Sequence, residues 1–333
     1  MKGQVIITGG AGFIGSHLVD RLLLDGQWKV TVVDNFHPNY PRAIKTANLA
    51  RHIGNPEFSL VEGDLLDDRT LDRVFSEVAG TTAMVVHLAA LVGVRPSLEN
   101  PKAYHRVNVT GTLKLLEKAR EARIAHFILA SSSSVYGELQ DVPWKETAGD
   151  LKPISPYAAT KMAAEELVRV YARLHGLNAT VLRFFTVYGP RQRPDLAIHS
   201  FFRRIAHGLP VQQFGDGSTQ RDYTFVEDIV DGVHKAMGRH LEAAEGQGAF
   251  DIFNLGNSST VALRDLICAV EREVGRKAVL QVLPEQPGDV PRTFANVEKA
   301  KDAFGYVPNT GIAEGLVEFH RWYKEMALEK LDK

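Results

Sequence analysis

Short apolar runs alternate with longer amphipathic stretches over the first 185 residues of the chain. Short apolar runs bounded by turn residues are typical of strands buried in a parallel sheet, and the longer stretches repeat at helical spacing. The pattern predicts six strands, which in chain order are Val5–Thr8, Trp28–Val33, Glu57–Val61, Thr82–His87, Ala125–Ala130 and Ala179–Phe184. Regular alternation of strand and helix predicts an α/β fold with a doubly wound parallel sheet.

The pattern changes after Phe185, where a loop rich in proline and arginine leads into shorter helices and strands. We expect two units from this change of pattern. Residues 1–185 form the first unit, and residues 222–257 return to it. Residues 186–221 and 258–330 form a smaller α/β lobe.

Three glycines, Gly9, Gly12 and Gly15, follow the first predicted strand and open a helical stretch that runs to Leu24. A strand, a glycine turn and a helix form the context of a dinucleotide-binding fingerprint. Gly9 permits the tight turn, Gly12 lets the backbone approach a pyrophosphate, and Gly15 lets the helix pack closely on the strand. Asp34 follows about twenty residues later, where an acid bonds the ribose hydroxyls and repels a 2′-phosphate. NAD is therefore expected rather than NADP.

A second pattern opens the helix predicted over Pro156–His175. Ser155 can cap this helix, and Tyr157 and Lys161 lie one turn apart on the same face. A nearby ammonium favours the phenolate, so the pair can accept a proton. An ordinary amphipathic helix can carry the same two residues by chance. The pair gains weight from four serines, 131–134, which follow the fifth strand at the edge where open parallel sheets bind ligands.

Composition narrows the class of protein further. The chain has 333 residues, 44% of them hydrophobic, and a net charge of −1, so nothing points to nucleic acid as a partner. Cys268 is the single cysteine, which excludes a disulfide framework and a cysteine-rich metal site and fits a cytoplasmic location. No apolar run is long enough to span a membrane. His87 has no second ligand at metal spacing, so we predict that it packs at a strand end and that no metal is bound.

These motifs together resemble the extended short-chain dehydrogenases/reductases of the nucleotide-sugar epimerase/dehydratase group, which have a Rossmann fold. The resemblance covers nearly the whole chain and includes, besides the motifs above, Arg221-Asp222-Tyr223 and Gly288-Asp289. It implies that Tyr157 is the catalytic acid and base. It further implies that Lys161 binds the nicotinamide ribose and lowers the pKa of Tyr157, and that Ser132 hydrogen-bonds O4 of the sugar. A homodimer is expected through the helices around Asn100–Arg123 and Pro156–His175.

The resemblance also implies three sets of site residues. The catalytic set is Tyr157, Lys161, Ser132 and Ser133. The cofactor-binding set is Gly9, Gly12, Phe13, Ile14, Gly15, Asp34, Asn35, Asp64, Leu65, Leu88, Ala89, Ala90, Asn108, Tyr157, Lys161, Phe184 and Val187. The substrate-binding set is Ser134, Thr186, Arg193, Ala197, Ile198, Gln213, Phe214, Arg221, Gln286 and Asp289.

The reaction type depends on the residues just before Val135. Dehydratases and decarboxylases of this group carry an acid there, whereas this chain has Ser133 and Ser134. Without that acid, elimination and decarboxylation lack their usual catalyst, and a redox-neutral epimerisation remains. In that reaction Tyr157 takes the O4 proton, NAD takes hydride from C4, the 4-keto sugar turns over, and hydride returns to the other face.

The substrate depends on Thr186 and Arg193. UDP-galactose 4-epimerases usually have Asn at the position of Thr186, whereas Thr186, Arg193-Pro194-Asp195 and the loop 286–291 are similar to UDP-glucuronate 4-epimerases. In that family the Thr and the Arg meet the sugar carboxylate. Oxidation of C4 makes glucuronate a β-keto acid, and a cationic fork that holds its carboxylate near the ketone plane would suppress loss of CO₂. We therefore expect UDP-glucuronate. A UDP-glucose/UDP-galactose epimerase, a keto-sugar reductase and a non-catalytic NAD-binding scaffold remain open.

Overall fold

The structure, a computed structural model, describes residues 3–78, 83–242, 246–285 and 290–326. Gln286 and Asp289, which were predicted to bind substrate, lie outside the described residues. No helix of these described ranges is long and apolar enough to cross a membrane.

The strands in chain order are β1 (Gly3–Thr8), β2 (Trp28–Asp34), β3 (Phe58–Glu62), β4 (Ala83–His87), β5 (His126–Ser132), β6 (Asn178–Phe184), β7 (Thr186–Tyr188), β8 (Pro210–Phe214), β9 (Gln220–Arg221), β10 (Tyr223–Phe225), β11 (Phe250–Leu255), β12 (Val261–Ala262) and β13 (Val279–Leu283). The helices are α1 (Phe13–Asp25), α2 (Arg42–Leu49), α3 (Asp68–Ser76), α4 (Val94–Glu99), α5 (Pro101–Tyr104), α6 (Gly111–Glu121), α7 (Pro156–His175), α8 (Ala197–Ala206), α9 (Val226–Glu242), α10 (Leu263–Val274), α11 (Glu298–Phe304) and α12 (Ile312–Glu325). A π-helical turn, His105–Thr110, joins α5 to α6, and 3₁₀ turns span Ala50–His52 and Ser133–Tyr136.

Seven parallel strands form the main sheet, in the order β11-β6-β5-β4-β1-β2-β3. This order confirms the predicted doubly wound sheet. The order reverses beside β1, because Thr8 at the end of β1 is level with Val33 of β2 on one side and with His87 of β4 on the other. A crevice opens at such a reversal, outside the carboxyl ends of the strands, and ligands of open α/β sheets bind there.

Helices cover both faces of this sheet, which explains why its strands are apolar throughout. On one face, Val19 of α1 and Val233 of α9 belong to one buried cluster with the strand residues. On the other face, Leu71 of α3, Leu115 of α6 and Val168 of α7 belong to a second cluster. Rigid elements therefore surround the crevice and fix the strand ends that open into it.

A third buried cluster joins α8, α10 and α12 through Phe202, Leu266 and Phe319. Two short strands, β9 and β10, precede α9 and are separated at Asp222. The Asp222 carboxylate accepts hydrogen bonds from the backbone N–H groups of Asn257 (2.7 Å) and Ala295 (3.0 Å), so this residue ties neighbouring loops together. The division of the chain into two lobes stays a prediction.

Candidate active site

One cavity of about 360 Å³ opens at the carboxyl ends of β1, β2, β4, β5 and β6. The predicted residues that line it are Gly9, Gly12, Phe13, Ile14, Gly15, Asp34, Asn35, Leu88, Ala89, Ala90, Ser132, Tyr157, Lys161, Phe184, Thr186, Val187 and Arg193. The cavity therefore brings together residues from all three predicted sets.

The glycine turn is shaped by close backbone approaches. Gly9 has a φ of +74°, and a Cβ added to it would lie 2.8 Å from the backbone nitrogen of Ala89. A Cβ on Gly15 would overlap the carbonyl oxygen of Gly9. Gly12 is the N-cap residue of α1 and has no side chain that could accept hydrogen bonds from the free N–H groups of the first helical turn. The backbone there can approach an anionic ligand directly, and the helix N-terminus favours negative charge. These features fit the pyrophosphate of a dinucleotide.

Asp34 ends β2 at the edge of this turn. Its carboxylate accepts hydrogen bonds from the backbone N–H groups of Ala11 (3.0 Å) and Phe36 (2.8 Å), and burial raises its pKa. Asn35 beside it donates to Asp64 (3.0 Å). Asp64 and Leu65 do not line the cavity. Asp64 is connected to the cavity through its hydrogen bond with Asn35. A carboxylate in the position of Asp34 suits a ribose with two free hydroxyls.

Tyr40 and Lys45, which were not predicted from the sequence, line the same side of the cavity. The Lys45 ammonium donates to the carbonyl oxygen of His37 (2.7 Å) and lies 4.5 Å from the centre of the Tyr40 ring. The Tyr40 hydroxyl is buried without a hydrogen-bond partner among the described residues. It lies 4.0 Å from the position that a Cβ on Gly12 would occupy. A buried donor aimed at the phosphate-binding turn fits a dinucleotide, whose phosphate oxygens would accept its hydrogen bond.

His87 anchors the loop after β4 through a chain of hydrogen bonds. Its Nδ1 lies 2.7 Å from the Thr8 hydroxyl, which also accepts from the backbone N–H of Ala89. Its Nε2 lies 3.0 Å from the Thr112 hydroxyl, which donates to the carbonyl oxygen of Asn108. Because the Thr112 proton is committed to Asn108, the ring must donate from Nε2 and accept at Nδ1. Burial lowers the pKa of His87 to about 3, so the ring is neutral, as its predicted packing role requires.

Asn108 was predicted to bind the cofactor, but it does not line the cavity. Its side-chain amide accepts from the N–H of Leu91 (2.8 Å) and donates to the carbonyl oxygen of the same residue (2.9 Å) and to the Thr160 hydroxyl (3.1 Å). The π-helical turn that carries Asn108 sets this orientation, since such turns rotate side chains relative to a regular helix. Asn108 therefore fixes the loop after β4 against α7.

Tyr157 and Lys161 lie on α7 as predicted, after the Ser155 cap accepts from the N–H of Ala158 (3.2 Å). Burial raises the pKa of Tyr157, whereas a hydrogen bond with Ser132 and the charge of Arg193 lower it. The Lys161 ammonium donates to the carbonyl oxygen of Ala130 (2.8 Å), and burial lowers its pKa to about 8. The charge of Arg193 therefore favours the Tyr157 phenolate. The effect assigned to Lys161 stays a prediction.

The four serines divide between strand and turn. Strand β5 runs two residues further than predicted, to Ser132, and both Ser131 and Ser132 line the cavity. Ser133 and Ser134 belong to the following 3₁₀ turn and do not line it. The Ser134 hydroxyl instead accepts a hydrogen bond from Ser132 (3.1 Å). The turn redirects the chain, so Ser132 is the serine that faces Tyr157, and the roles given to Ser133 and Ser134 stay predictions.

Thr186 and Arg193 reach the cavity from the far side. The Arg193 guanidinium makes a two-point ion pair with Asp195, with Nε–Oδ1 and Nη2–Oδ2 distances of 3.0 and 2.7 Å. The Arg193 side chain is 14% exposed, whereas that of Asp195 is 53% exposed. Arg191, two residues earlier, pairs with Asp20 of α1 (2.7 Å). Arg193 is therefore the arginine of this loop that the cavity can use.

The remaining predicted substrate residues are not among the cavity lining: Ala197, Ile198, Gln213, Phe214 and Arg221. Gln213 donates to the carbonyl oxygen of Gly215 (3.2 Å), and Phe214 lies under the guanidinium of Arg95 (4.3 Å). Arg221 donates to the carbonyl oxygen of Gln220 (2.9 Å). Their proposed roles stay predictions.

A dinucleotide-binding turn and a tyrosine–lysine pair face each other across the crevice of a doubly wound sheet. This arrangement places the molecule among the short-chain dehydrogenases/reductases. Residues 5–256 match the model of the NAD dependent epimerase/dehydratase family, and the chain belongs to that family. The cofactor is NAD.

Two solved structures and one relative illustrate the similarity. The chain is 41% identical to UDP-glucuronate 4-epimerase 2 of Arabidopsis thaliana, over 96% of this chain and 75% of the plant protein. UDP-glucuronic acid 4-epimerase of Bacillus cereus, in complex with UDP-glucuronic acid and NAD, matches with a TM-score of 0.89 and 33% identity over 97% of this chain and 99% of that one. UDP-glucose 4-epimerase of Thermotoga maritima with UDP-glucose matches with a TM-score of 0.86 and 33% identity, over the same shares.

Proposed function

We propose that the protein interconverts the C4 epimers of a UDP-sugar with NAD, and that its substrate is UDP-glucuronate, with UDP-galacturonate as the product. The observation that carries this proposal is the position of the Arg193 guanidinium. It lines the same cavity as Tyr157 and Thr186, and its charge acts on the Tyr157 hydroxyl. A cation so close to the acid/base residue suits a sugar that carries a carboxylate one carbon away from the reacting C4.

Each residue around C4 has a separate role in the proposed reaction. The Tyr157 phenolate accepts the O4 proton and later returns it, while Ser132 holds O4 by a hydrogen bond. Lys161 is positioned to hold the nicotinamide ribose and to balance the phenolate. NAD, when bound, supplies reversible oxidation at C4. Ser133 and Ser134 stand where a dehydratase or decarboxylase of this group has an acid, so the 4-keto sugar undergoes neither elimination nor loss of CO₂.

Asp195 bears on how the substrate binds. The carboxylate of UDP-glucuronate meets a guanidinium whose Nε and Nη2 atoms already face Asp195. Asp195 is half exposed, so it can withdraw into solvent at small cost, or the remaining N–H groups of Arg193 can serve the substrate. In either arrangement Arg193 and Thr186 hold the sugar carboxylate near the plane of the C4 ketone.

The same ion pair favours a second candidate, UDP-glucose/UDP-galactose 4-epimerisation. Because Asp195 compensates the charge of Arg193, this arginine does not require an acidic sugar as its counter-charge. A neutral sugar could then bind with the pair intact, and Arg193 would serve only the diphosphate or the loop.

Purified protein incubated with NAD and either UDP-glucuronate or UDP-glucose distinguishes the two candidates, with the product sugars separated by chromatography. We expect turnover of UDP-glucuronate to exceed that of UDP-glucose at least about tenfold, which corresponds to one charge-assisted hydrogen bond. Preference for UDP-glucose would establish the second candidate instead. Absence of turnover with both would leave the non-catalytic scaffold.

Arg193→Ala tests the role of the arginine, with Arg193→Lys as the matched control that keeps the charge and loses the fork. We expect Arg193→Ala to weaken UDP-glucuronate binding and to release CO₂ and a UDP-pentose, because Thr186 alone does not hold the carboxylate in the ketone plane. Arg193→Lys should retain part of the affinity. An Arg193→Ala protein with unchanged affinity for UDP-glucuronate would contradict the assignment.

The assembly proposed for the protein is a homodimer formed through α6 and α7. Support comes from apolar side chains that these helices expose, which are Leu113 of α6 and Val170 and Leu174 of α7. We also propose a cytoplasmic location, with which the single cysteine is consistent.

A further inference from the structure

Glu165 is a buried carboxylate for which the proposed reaction has no use. It lies on α7, four residues after Lys161 and eight after Tyr157, and it is 1% exposed. Its carboxylate accepts hydrogen bonds from the Ser131 hydroxyl (2.5 Å) and from Nε (3.0 Å) and Nη2 (2.7 Å) of Arg183. Burial of a charged group is costly, so a side chain with this many partners indicates a defined task.

The partners of Glu165 join α7 to the end of β5. Ser131 of β5 stands directly opposite Arg183 of β6 in the parallel register, and Glu165 bridges the two. The preceding residue, Ala130, is held by Lys161 through its carbonyl oxygen (2.8 Å). Two successive residues of β5 are thus attached to two successive turns of α7.

This attachment fixes Ser132. Ser131 and Ser132 are the last two residues of β5. Ser131 donates to Glu165, and Ser132 hydrogen-bonds Tyr157, which lies on the same helix. The distance between Ser132 and Tyr157 therefore depends on how β5 is held against α7.

Glu165 also supplies a negative charge that acts on Lys161. His87 on β4 interacts electrostatically with Lys161 and is neutral, and Arg183 on β6 pairs with Glu165. Burial lowers the pKa of Lys161, and the charge of Glu165 opposes that effect.

We propose that Glu165 is a positioning residue for the reaction, which holds the end of β5 against α7 and keeps Lys161 protonated so that it can bind the cofactor. Mutation should therefore change both the geometry around Ser132 and the pH range in which Lys161 works. The proposal rests on the proposed function only in assigning Lys161 to the nicotinamide ribose.

Glu165→Gln tests the charge, with Glu166→Gln as the matched control, because Glu166 is exposed and pairs with Arg169 (3.1 Å) one turn away. Loss of the Glu165 charge destabilises the Lys161 ammonium. NAD affinity should decline above a limiting pH, and we expect Glu165→Gln to lower this limit by about one unit. At a pH between the limits of the variant and of the unmodified protein, the NAD affinity of the variant should be about tenfold lower. Isothermal titration calorimetry across the pH range measures this without any sugar substrate, so the result does not depend on which sugar is turned over.

The kinetic readout is kcat against pH with whichever UDP-sugar the protein epimerises. We expect its upper pH limit to move in parallel with NAD affinity in Glu165→Gln and to stay in place in Glu166→Gln. Superimposable pH profiles for Glu165→Gln and the unmodified protein would overturn the proposal.

Glu165→Asp keeps the experiment decisive if Glu165→Gln does not fold. The shorter side chain retains the charge but reaches Ser131 and Arg183 less well. We expect a lower kcat with an unchanged upper pH limit, because geometry suffers while Lys161 keeps its counter-charge. A downward shift of that limit in Glu165→Asp, or an unchanged kcat, would contradict the two-part role.

Discussion

Tyr40 shows at the residue scale how a single buried hydroxyl indicates a ligand. Burial raises its pKa, so the hydroxyl remains protonated and can only donate or accept as a neutral group. The ammonium of Lys45 over the ring fixes the orientation of the ring, and the hydroxyl faces the glycine turn at Gly12. A phosphate oxygen of the dinucleotide is the acceptor that this geometry suits.

Tyr40→Phe should weaken NAD binding about tenfold, the value of one hydrogen bond to a charged acceptor, and leave kcat at saturating NAD nearly unchanged. Titration calorimetry with NAD measures the first effect, and initial rates measure the second. Tyr323→Phe is a control, because Tyr323 is also buried but does not line the cavity. Equal NAD affinity in Tyr40→Phe and the unmodified protein would show that the hydroxyl has no phosphate partner.

At the scale of elements, α7 serves both the site and the surface. Its buried face carries Tyr157, Lys161 and Glu165, whereas Val170 and Leu174 are 46% and 67% exposed. Large apolar side chains this exposed on one helix, next to Leu113 of α6, are typical of a surface that another protein covers. The proposed dimer would cover it with the same helices of a second copy.

The double variant Val170→Glu/Leu174→Glu should dissociate that dimer, because it places charges where the two copies meet. Sedimentation velocity at micromolar concentration measures the change from dimer to monomer mass. Leu24→Glu is the control, since Leu24 is 87% exposed at the end of α1, away from both helices. A monomeric unmodified protein, or a double variant that keeps the dimer mass, would refute the proposed interface.

For the whole molecule, three histidines with lowered pKa values link stability to pH. Burial lowers the pKa of His17 to about 4 and the pKa values of His87 and His240 to about 3. All three bind a proton near pH 6.5 in the unfolded chain. The unfolded state therefore takes up more protons as the pH falls below about 6.5, and the folded state loses stability over that window. Each histidine contributes a slope of up to about 1.4 kcal/mol per pH unit.

His240→Gln should remove one of these three contributions, while the glutamine amide can still reach the Thr180 hydroxyl that His240 contacts at 2.8 Å. We expect the free energy of unfolding to fall less steeply between about pH 6 and pH 4.5, by up to about 1.4 kcal/mol per pH unit. Urea unfolding at several pH values measures the slope. His207→Gln, at an exposed position, should leave the slope unchanged. An identical slope in His240→Gln would mean that His240 is protonated in the folded state.

Local pattern was sufficient to predict the parallel sheet, the glycine turn with Asp34, and the helix that carries Tyr157 and Lys161. These features depend on residues close together in the chain. Apolar runs form the strands, glycines stand where a Cβ would collide, and Ser155 caps the helix that carries Tyr157. The end of β5 was predicted two residues short, because polar serines resemble a turn until a partner such as Glu165 is known.

Only the tertiary structure decided which of the candidate side chains share the cavity. Contacts with other elements leave the Tyr40 hydroxyl without a partner among the described residues and direct the Asn108 amide to the loop after β4. The path of a loop decides that Arg193 pairs with Asp195 and Arg191 with Asp20. The same holds for Glu165, whose partners Ser131 and Arg183 lie on two different strands. Periodicity specifies which face of an element is buried, but the partner that a buried polar group finds there is set by how the elements pack.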